Sequence, residues 1–190
     1  MIEDDYDAEL RYDRLPVGAL QGLDPDRVVY GGSASKVLSP ALRLGWIIAP
    51  PELAGDIIRV RLYEDFAAEA LGQLTLARFI DSGGFARHLR RVRPIYRTRR
   101  DRLLAVLNAH LPEIQPSGEA AGLHLLLRLP EGRDPEQVAS LAAKHDVQLE
   151  NATRHWADPC AAPPTLLVGY GAQREHTLAH GIEALAAEPW

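Results

Sequence analysis

The sequence predicts an α/β protein, because short apolar runs of strand type alternate with longer stretches of helical periodicity along the whole chain. No internal repeat or low-complexity tract interrupts this alternation. Of the 190 residues, 46% are hydrophobic and 25% are charged, which is typical of a folded globular chain. We expect two domains, over residues 1–87 and 88–190, joined by a long arginine-rich helix.

The first half of the chain predicts two strands followed by two helices. Residues 27–32, "RVVYGG", predict a strand closed by a Gly-Gly turn, and residues 44–50, "LGWIIAP", predict a second strand that ends at two prolines. Pro51 favours the first turn of a helix. A further helix is predicted over about 66–80, where the glycines of "DSGG" suit a helix C-terminus.

A long helix is predicted over residues 85–111, where leucine and valine recur at helical spacing. Pro94 should kink this helix or mark a restart. The run "RHLRRVRPIYRTRRDR" in its first part is strongly basic, which is compatible with nucleic-acid binding or with a solvated face that pairs with nearby acids. The net charge of −5 and the pI of about 5.8 favour the solvated face.

Beyond this helix the pattern changes to strands of the second domain. Residues 122–129, "GLHLLLRL", alternate and predict a strand with one leucine face. Asp134 precedes a proline and should cap a helix. Two shorter strands are predicted at residues 146–150 and 165–170, and a closing helix at about 174–188.

The sequence also indicates the cellular compartment of the protein. The single cysteine, Cys160, excludes an internal disulfide and a CxxC metal or redox site. The acidic start, "MIEDDYDAEL", lacks the apolar segment of a signal peptide, and no stretch approaches the length of a membrane span. We therefore expect a cytoplasmic protein that does not contact a membrane.

Lysine is rare in this chain, since only Lys36 and Lys144 are lysines among 21 lysine and arginine residues. Lys36 lies in "YGGSASKVLSPALRLGW", with Ser33 and Ser35 before it and Arg43 after it. Serine hydroxyls and an arginine fork are groups that hold a phosphate. A primary amine, unlike a guanidinium, can attack a carbonyl group. The stretch indicates an imine-forming lysine beside a phosphate, which implies pyridoxal phosphate and a carboxylate for its pyridine nitrogen.

Three segments carry a resemblance to a known family: "IEDDYDAELRY", "SASKVLSPALRLGW" and "LLVGYGAQREHTLAHGIEALA". They closely resemble the fold-type I, class I/II aminotransferases, nearest to the aminotransferase-like domain of GntR/MocR-type regulators. The resemblance spans essentially the whole chain. It implies a cofactor, pyridoxal 5'-phosphate, and a role for each of six residues.

By resemblance, Asp4 keeps the pyridine nitrogen protonated and Tyr6 hydrogen-bonds the ring oxygen of the cofactor. The two serines and Arg43 resemble the phosphate ligands, and Lys36 the imine-forming lysine that later shuttles a proton. Taken singly, each residue has a plainer interpretation. Asp4 could cap a turn, the serines could be loop hydroxyls, Arg43 could form a surface ion pair and Lys36 could be a solvated base. Their joint spacing favours the cofactor site.

The resemblance has one departure within the chain. Many family members carry a substrate-carboxylate arginine in a pattern like "LRLGF", whereas this chain has "LLVGY", with Leu167 in place of the arginine. This lowers the expectation of an ordinary α-amino acid transaminase. His124, Arg128, Arg154 and His155 could supply substitute contacts, or they could be solvated or paired side chains.

The family's large domain also has roughly a further hundred residues before the motif "IEDDYD". We therefore expect residues 1–87 to be a partial large domain with an incomplete sheet and exposed apolar surface, and residues 88–190 to be a complete small domain. The expected function is that of an aminotransferase-like protein truncated at its N-terminus. The alternatives are the effector-sensing domain of a MocR-type regulator without its winged helix, and an inactive fragment. We expect an amino acid or amine as substrate or effector, a homodimer in the intact relative, and no direct DNA binding by this chain.

Overall fold

The computed structural model describes residues 1–11, 18–66, 69–118 and 122–188. Its elements form an α/β structure, as the sequence predicts. The chain divides into two compact units, Met1–Val92 and Arg93–Trp190, and each has a sheet of its own. The assignment of functional domains to residues 1–87 and 88–190 stays a prediction.

The sheet of the first unit has three strands: β1 (Ile2–Asp5), β2 (Val29–Ser33) and β3 (Gly45–Ile48). β2 is central, parallel to β1 and antiparallel to β3. The register pairs Asp4 with Gly31, and Gly32 with Trp46. Because side chains alternate between the two faces of a sheet, Asp4 and Ser33 lie on one face and Trp46 lies on the other.

The Gly-Gly turn predicted at Gly31 and Gly32 is wrong, since both glycines lie inside β2. A Cβ at Gly32 would stand 2.4 Å from Nε1 of Trp46, so the indole occupies the space that a side chain would need. The glycine here accommodates a neighbouring side chain rather than a turn. The strand predicted over residues 44–50 is confirmed as β3.

Two helices follow this sheet: α1 (Pro51–Asp65) and α2 (Ala70–Asp81). Pro51 occupies the first helical position, where a missing N–H costs no helical hydrogen bond. The start predicted for the second helix near Phe66 is wrong, because Phe66 has a φ of 57° and ends α1 instead. The Glu69 side chain accepts a 2.7 Å hydrogen bond from the N–H of Gly72, and this cap starts α2.

Much apolar surface of the first unit is exposed. Among the described residues neither α1 nor α2 contributes a buried side chain. This exposure is what an incomplete sheet domain predicts. The exposed large apolar residues of β3, α1 and α2 are Trp46, Ile47, Ile48, Leu53, Ile58, Val60, Leu62, Tyr63, Leu71, Leu74 and Ile80.

A single helix, α3 (Gly84–His110), confirms the long helix that the sequence predicts. It runs through Pro94 without a break, so the restart considered there does not occur. Proline removes one N–H donor, and the bonds of the adjacent turns are enough to continue a long helix. Arg97 is exposed and pairs with Asp101 at 3.7 Å, in agreement with a solvated basic face. Arg100 lies 3.3 Å from the same carboxylate but is only 19% exposed.

The sheet of the second unit has four strands: β4 (Gln115–Ser117), β5 (His124–Arg128), β6 (Glu150–Asn151) and β7 (Thr165–Gly169). Their order is β4-β5-β7-β6, and all neighbours are antiparallel. Leu125 and Leu127 of β5 and Leu166 and Val168 of β7 are buried. The strands predicted over 122–129 and 165–170 are thus confirmed, while β4 was not among the predicted strands.

Two helices complete the second unit: α4 (Pro135–Ala143) and α5 (Glu175–Ala186). Oδ1 of Asp134 accepts a 2.9 Å hydrogen bond from the N–H of Glu136, which confirms the predicted cap. Ile182 and Leu185 are buried, as the apolar stripe of the closing helix predicts. Within the described ranges, no helix combines the length and the apolar character needed to cross a bilayer.

The strand predicted over residues 146–150 is wrong in extent. Asp146 has a φ of 58°, and the N–H of Val147 donates to the carbonyl of Ala142 at 3.0 Å. A residue in the left-handed region, followed by an N–H that donates to the carbonyl five residues earlier, is a common end of an α-helix. The segment therefore ends α4, and only Glu150 enters β6.

Candidate functional site

The three acidic residues of β1 have different partners. Glu3 accepts hydrogen bonds of 2.9 and 3.0 Å from two N–H groups of the 3₁₀ turn Leu20–Gly22. Asp5 accepts a 3.1 Å bond from the N–H of Ala8. Asp4 is exposed and forms no hydrogen bond or ion pair with the described residues. The turn cap considered for Asp4 is thus provided by its neighbour, and the Asp4 carboxylate is available to a ligand.

Asp5 has a second partner on the opposite face of the sheet from Asp4. Burial, the charge of Asp5 and a hydrogen bond to that carboxylate raise the pKa of Tyr30 to about 12. The Tyr30 phenol therefore stays protonated and bound to Asp5 over the physiological pH range. Asp4 lies on the other face and forms no hydrogen bond or ion pair with the described residues.

Lys36 lies in a single helical turn that follows β2. The N–H of Leu38 donates to the carbonyl of Ala34 at 2.9 Å, and the N–H of Ala34 donates to the carbonyl of Leu44 at 3.0 Å. Ala34 and Val37 are buried, whereas Lys36 is exposed. The turn is therefore anchored through its backbone and its small apolar side chains, and its lysine is left to solvent.

Tyr6 and Lys36 lie together. Nζ of Lys36 is 6.0 Å from the centroid of the Tyr6 ring, at the outer limit of a cation–π contact. Burial raises the pKa of the Tyr6 phenol above its ordinary value, and the charges of Asp7 and Asp4 raise it further. A phenol that stays protonated at neutral pH can donate a hydrogen bond. Tyr6 is thus close to Lys36 and is also influenced by the charge of Asp4.

The proposed phosphate ligands lie on both sides of the Lys36 turn. The N–H of Ser35 donates a 3.0 Å hydrogen bond to Oγ of Ser33. Arg43 ends the 3₁₀ turn Pro40–Leu42 with a φ of 50°, and the next residue is bonded to the Lys36 turn. The Arg43 guanidinium is exposed and has no ion pair with the described residues, so the surface ion pair considered for it is not formed there. No contact joins the Arg43 side chain to the two serines within the same residues, and the roles of all six residues stay predictions.

His88 of α3 reaches the same turn. Its Nε2 lies 2.8 Å from the carbonyl oxygen of Val37, and this nitrogen carries the hydrogen because a carbonyl only accepts. Sequence reasoning missed this residue, since the arginine-rich run gives no sign of which side chain binds a backbone carbonyl 51 residues away. The one signal was that His88 is the only imidazole in that run.

Two known transcriptional regulators align with nearly the whole chain. The chain is 39% identical over 188 residues to an uncharacterized HTH-type transcriptional regulator, YhdI, of Bacillus subtilis, covering 97% of this chain and 40% of the regulator. It is 35% identical over 189 residues to the probable rhizopine catabolism regulatory protein MocR of Rhizobium meliloti, covering 97% and 38%. No protein-family model matches the chain.

Solved aminotransferases have the same fold. The crystal structure of the Pyrococcus horikoshii kynurenine aminotransferase, in complex with PMP, matches with a TM-score of 0.89 and 28% identity over 97% of this chain and 46% of that one. The chain has the fold of the PLP-dependent aminotransferases. It is also a homologue of the MocR-type regulators. It spans less than half the length of each of these proteins.

In this aminotransferase-like chain, position 167 is apolar. Leu167 lies in β7 between Leu126 of β5 and Glu150 of β6, and it is half-buried. Arg154 and His155 both bind Glu150, with His155 Nε2 at 3.1 Å from the carboxylate. Hydrogen bonds from Arg154 and then His155 lower the pKa of the Glu150 carboxyl. Both side chains are thus already paired with Glu150.

The groups without internal partners fit one kind of ligand. Within the described ranges, no cluster of three or more His, Cys, Asp or Glu side chains could hold a metal ion. Of the six residues predicted for the site, Asp4, Lys36 and Arg43 form no hydrogen bond or ion pair with the described residues. A carboxylate can bind a protonated ring nitrogen, and a guanidinium can bind a phosphate. A primary amine can react with an aldehyde, and these three are the functional groups of pyridoxal phosphate.

Proposed function

We propose that this chain binds pyridoxal phosphate through Lys36 and supports exchange of the amino group of an amino acid or amine, as an aminotransferase does. The observation that carries the proposal is the exposed Lys36 amine, 6.0 Å from the centroid of the Tyr6 ring. The charge of Asp4 acts on the phenol of the same Tyr6, and Asp4 has no hydrogen bond or ion pair with the described residues. The similarity in fold to the kynurenine aminotransferase supports the same chemistry.

When bound, pyridoxal phosphate supplies an aldehyde that reacts with amines and a protonated ring that withdraws electrons. Asp4 holds the proton on the ring nitrogen through a charge-assisted hydrogen bond. Tyr6 donates a hydrogen bond from its phenol, whose raised pKa keeps the donor in place. Lys36 supplies the primary amine that holds the cofactor and, when released, moves a proton at the substrate α-carbon.

The other three residues of the proposed site, Ser33, Ser35 and Arg43, would bind the phosphate. The hydroxyls of Ser33 and Ser35 lie at the end of β2 and at the start of the Lys36 turn, where each can donate to a phosphate oxygen. Arg43 can make two parallel hydrogen bonds to a phosphate, which a lysine cannot. These groups orient the cofactor, so that the aldehyde faces the Lys36 amine.

A second candidate function is the effector sensor of a longer MocR-type regulator. In that case the same site binds cofactor and amine without releasing a product, and the amine is the effector. Two observations favour it. The identity to the two regulators, 39% and 35%, exceeds the 28% to the kynurenine aminotransferase, and Leu167 offers no charge for a substrate carboxylate.

The proposal includes the partners of the site. A second copy of the chain in a homodimer is expected for the longer protein, since the resemblance is to dimeric proteins. The proposal includes no direct DNA binding by this chain, and a cytoplasmic location goes with the predicted use of a soluble cofactor and amine.

The two lysines of the chain provide the experiment. Pyridoxal phosphate is added to the purified chain, the complex is reduced with borohydride and the modified lysine is located by mass spectrometry. We expect the adduct on Lys36, retained in Lys144→Arg and lost in Lys36→Arg. Lys144→Arg is the matched control, because it keeps the charge and removes the only other lysine amine. Equal labelling of both lysines, or none at Lys36, would refute the proposal and leave an inactive fragment.

A second arm separates the two candidate functions. Amino acids and amines are added to the complex, and the absorbance of the cofactor and the release of keto acid are followed together. Release of keto acid supports the aminotransferase. A change in absorbance without keto acid supports the sensor.

A further inference from the structure

The carbonyl of Val37 lies at the open end of the Lys36 turn. The last carbonyl groups of a helical turn have no N–H partner within the turn and need one from elsewhere. The N–H of Leu38 closes the turn onto Ala34, which leaves the Val37 carbonyl pointing beyond it. The imidazole of His88 supplies the missing donor at 2.8 Å, as cationic or polar side chains do at helix C-termini.

The other hydrogen bonds that hold the turn in place are made by residues that precede Lys36. The N–H of Ala34 is bonded to Leu44, and the N–H of Ser35 is bonded to Oγ of Ser33. Both bonds precede Lys36 in the chain. His88 binds the residue that follows Lys36, so the lysine is held between an anchor before it and an anchor after it.

We propose that His88 is a positioning residue for Lys36, which sets the place from which the lysine amine reaches the cofactor. The inference rests on the function proposed above. A lysine side chain has four rotatable bonds, so a fixed backbone origin is what limits the positions of its amine. Holding a nucleophile near its target raises its effective concentration, and loosening the turn lowers it.

The bond lies where it cannot be replaced easily by water. Val37 is buried, and the contact with His88 is partly buried. A carbonyl that loses its partner there must stay unpaired or draw the turn out of place. Removal of the imidazole therefore moves or loosens the backbone of the turn that carries Lys36 and Ser35, while Asp4, Tyr6, Ser33 and Arg43 lie outside this turn.

The experiment compares two cofactor forms in His88→Leu and His88→Gln. Pyridoxal phosphate has the aldehyde that reacts with Lys36, whereas pyridoxamine phosphate lacks it and binds through the other contacts only. We expect His88→Leu to weaken the binding of pyridoxal phosphate about tenfold, the factor for one hydrogen bond of ordinary strength, and to weaken pyridoxamine phosphate clearly less, since only Ser35 of its contacts lies in the same turn. His88→Gln keeps an N–H donor on its side chain and should restore part of the loss.

Hydrogen exchange gives a second measurement without any cofactor. The Leu38 amide, which closes the turn, should exchange faster in His88→Leu and less so in His88→Gln. Equal weakening of both cofactor forms would show a general structural role and overturn the inference, as would no change in either form. Absence of a Lys36 adduct in the unsubstituted chain is a different outcome, because it refutes the proposed function itself and removes the basis of this inference.

Discussion

The three consecutive acids of β1 allow a sharp test, because the structure gives them different roles. Replacing each by alanine removes one carboxylate and leaves the strand in place. Asp5 accepts hydrogen bonds from the Ala8 N–H and the Tyr30 phenol, so Asp5→Ala should lower the free energy of unfolding by about 2 kcal/mol, at about 1 kcal/mol for each bond. Asp4 has no such bonds among the described residues, so Asp4→Ala should change that free energy by less than about 0.5 kcal/mol.

The change in the free energy of unfolding of Glu3→Ala should lie between the changes of Asp5→Ala and Asp4→Ala. Glu3 accepts two backbone bonds from the turn Leu20–Gly22, but the bond from the Leu20 N–H is exposed, so water can replace the carboxylate there. We expect a loss of about 1 kcal/mol. The three variants thus form a graded series in stability with Asp4 at its lower end.

For cofactor binding we expect the opposite result, with a larger effect of Asp4→Ala than of Asp5→Ala. Loss of a charge-assisted bond to the ring nitrogen should weaken the binding of pyridoxal phosphate by Asp4→Ala about tenfold or more, with little change for Asp5→Ala at temperatures where it is folded. Urea unfolding measures the stability, and a titration followed by cofactor absorbance measures the binding. The assignment of Asp4 to the cofactor is refuted if Asp4→Ala destabilises the chain as much as Asp5→Ala, or if the two bind the cofactor equally well.

Three further substitutions test the packing. Gly32→Ala should lower the free energy of unfolding by about 1–3 kcal/mol and change the Trp46 fluorescence, because the new Cβ would stand 2.4 Å from the indole nitrogen. Gly31→Ala, with its nearest atom at 3.8 Å, is the matched control, and equal effects would contradict this argument. The pKa of about 12 for Tyr30, against 10.0 in the unfolded chain, predicts that stability falls as pH rises from 10 to 12, since the unfolded chain loses this proton first. Urea unfolding of Tyr30→Phe should show a smaller slope, with the raised pKa of Tyr6 accounting for part of what remains, and an unchanged slope would contradict the assignment to Tyr30. Tyr170→Phe should cost about 1 kcal/mol in thermal unfolding, because a buried hydroxyl loses its 2.8 Å bond to a backbone carbonyl; an unchanged midpoint would show that this bond adds nothing.

Local features of the fold could be predicted from the sequence. Pro51 and Asp134 start their helices where neighbouring residues in the chain indicate, and the alternation of leucines identifies β5. The errors lie where distant residues intervene. Gly32 lies in a strand and not in a turn, and it is a glycine there because the indole of Trp46, from the next strand, occupies the space of a side chain. Residues 146–150 end a helix because a backward hydrogen bond competes with strand pairing.

The functional groups of the candidate site could be predicted from the sequence, whereas the hydrogen bonds that hold them in place could not. The primary amine of Lys36 and the hydroxyls near it are visible in the sequence, since nucleophilicity is a property of the residue type. The anchoring of its turn by His88 was not visible, because two residues 51 positions apart meet only when a helix is packed against the turn.

The sequence by itself determined the types of element and the kinds of functional group that this chain carries, because backbone preference and side-chain chemistry depend on a residue and its near neighbours. The tertiary structure alone decided which of Glu3, Asp4 and Asp5 has no hydrogen-bond partner among the described residues. N–H groups of turns bind the carboxylates of Glu3 and Asp5, and none of the described N–H groups binds Asp4. That outcome depends on where separate segments of the chain come to lie, since a hydrogen bond forms only between groups that the packed fold brings within about 3 Å of each other.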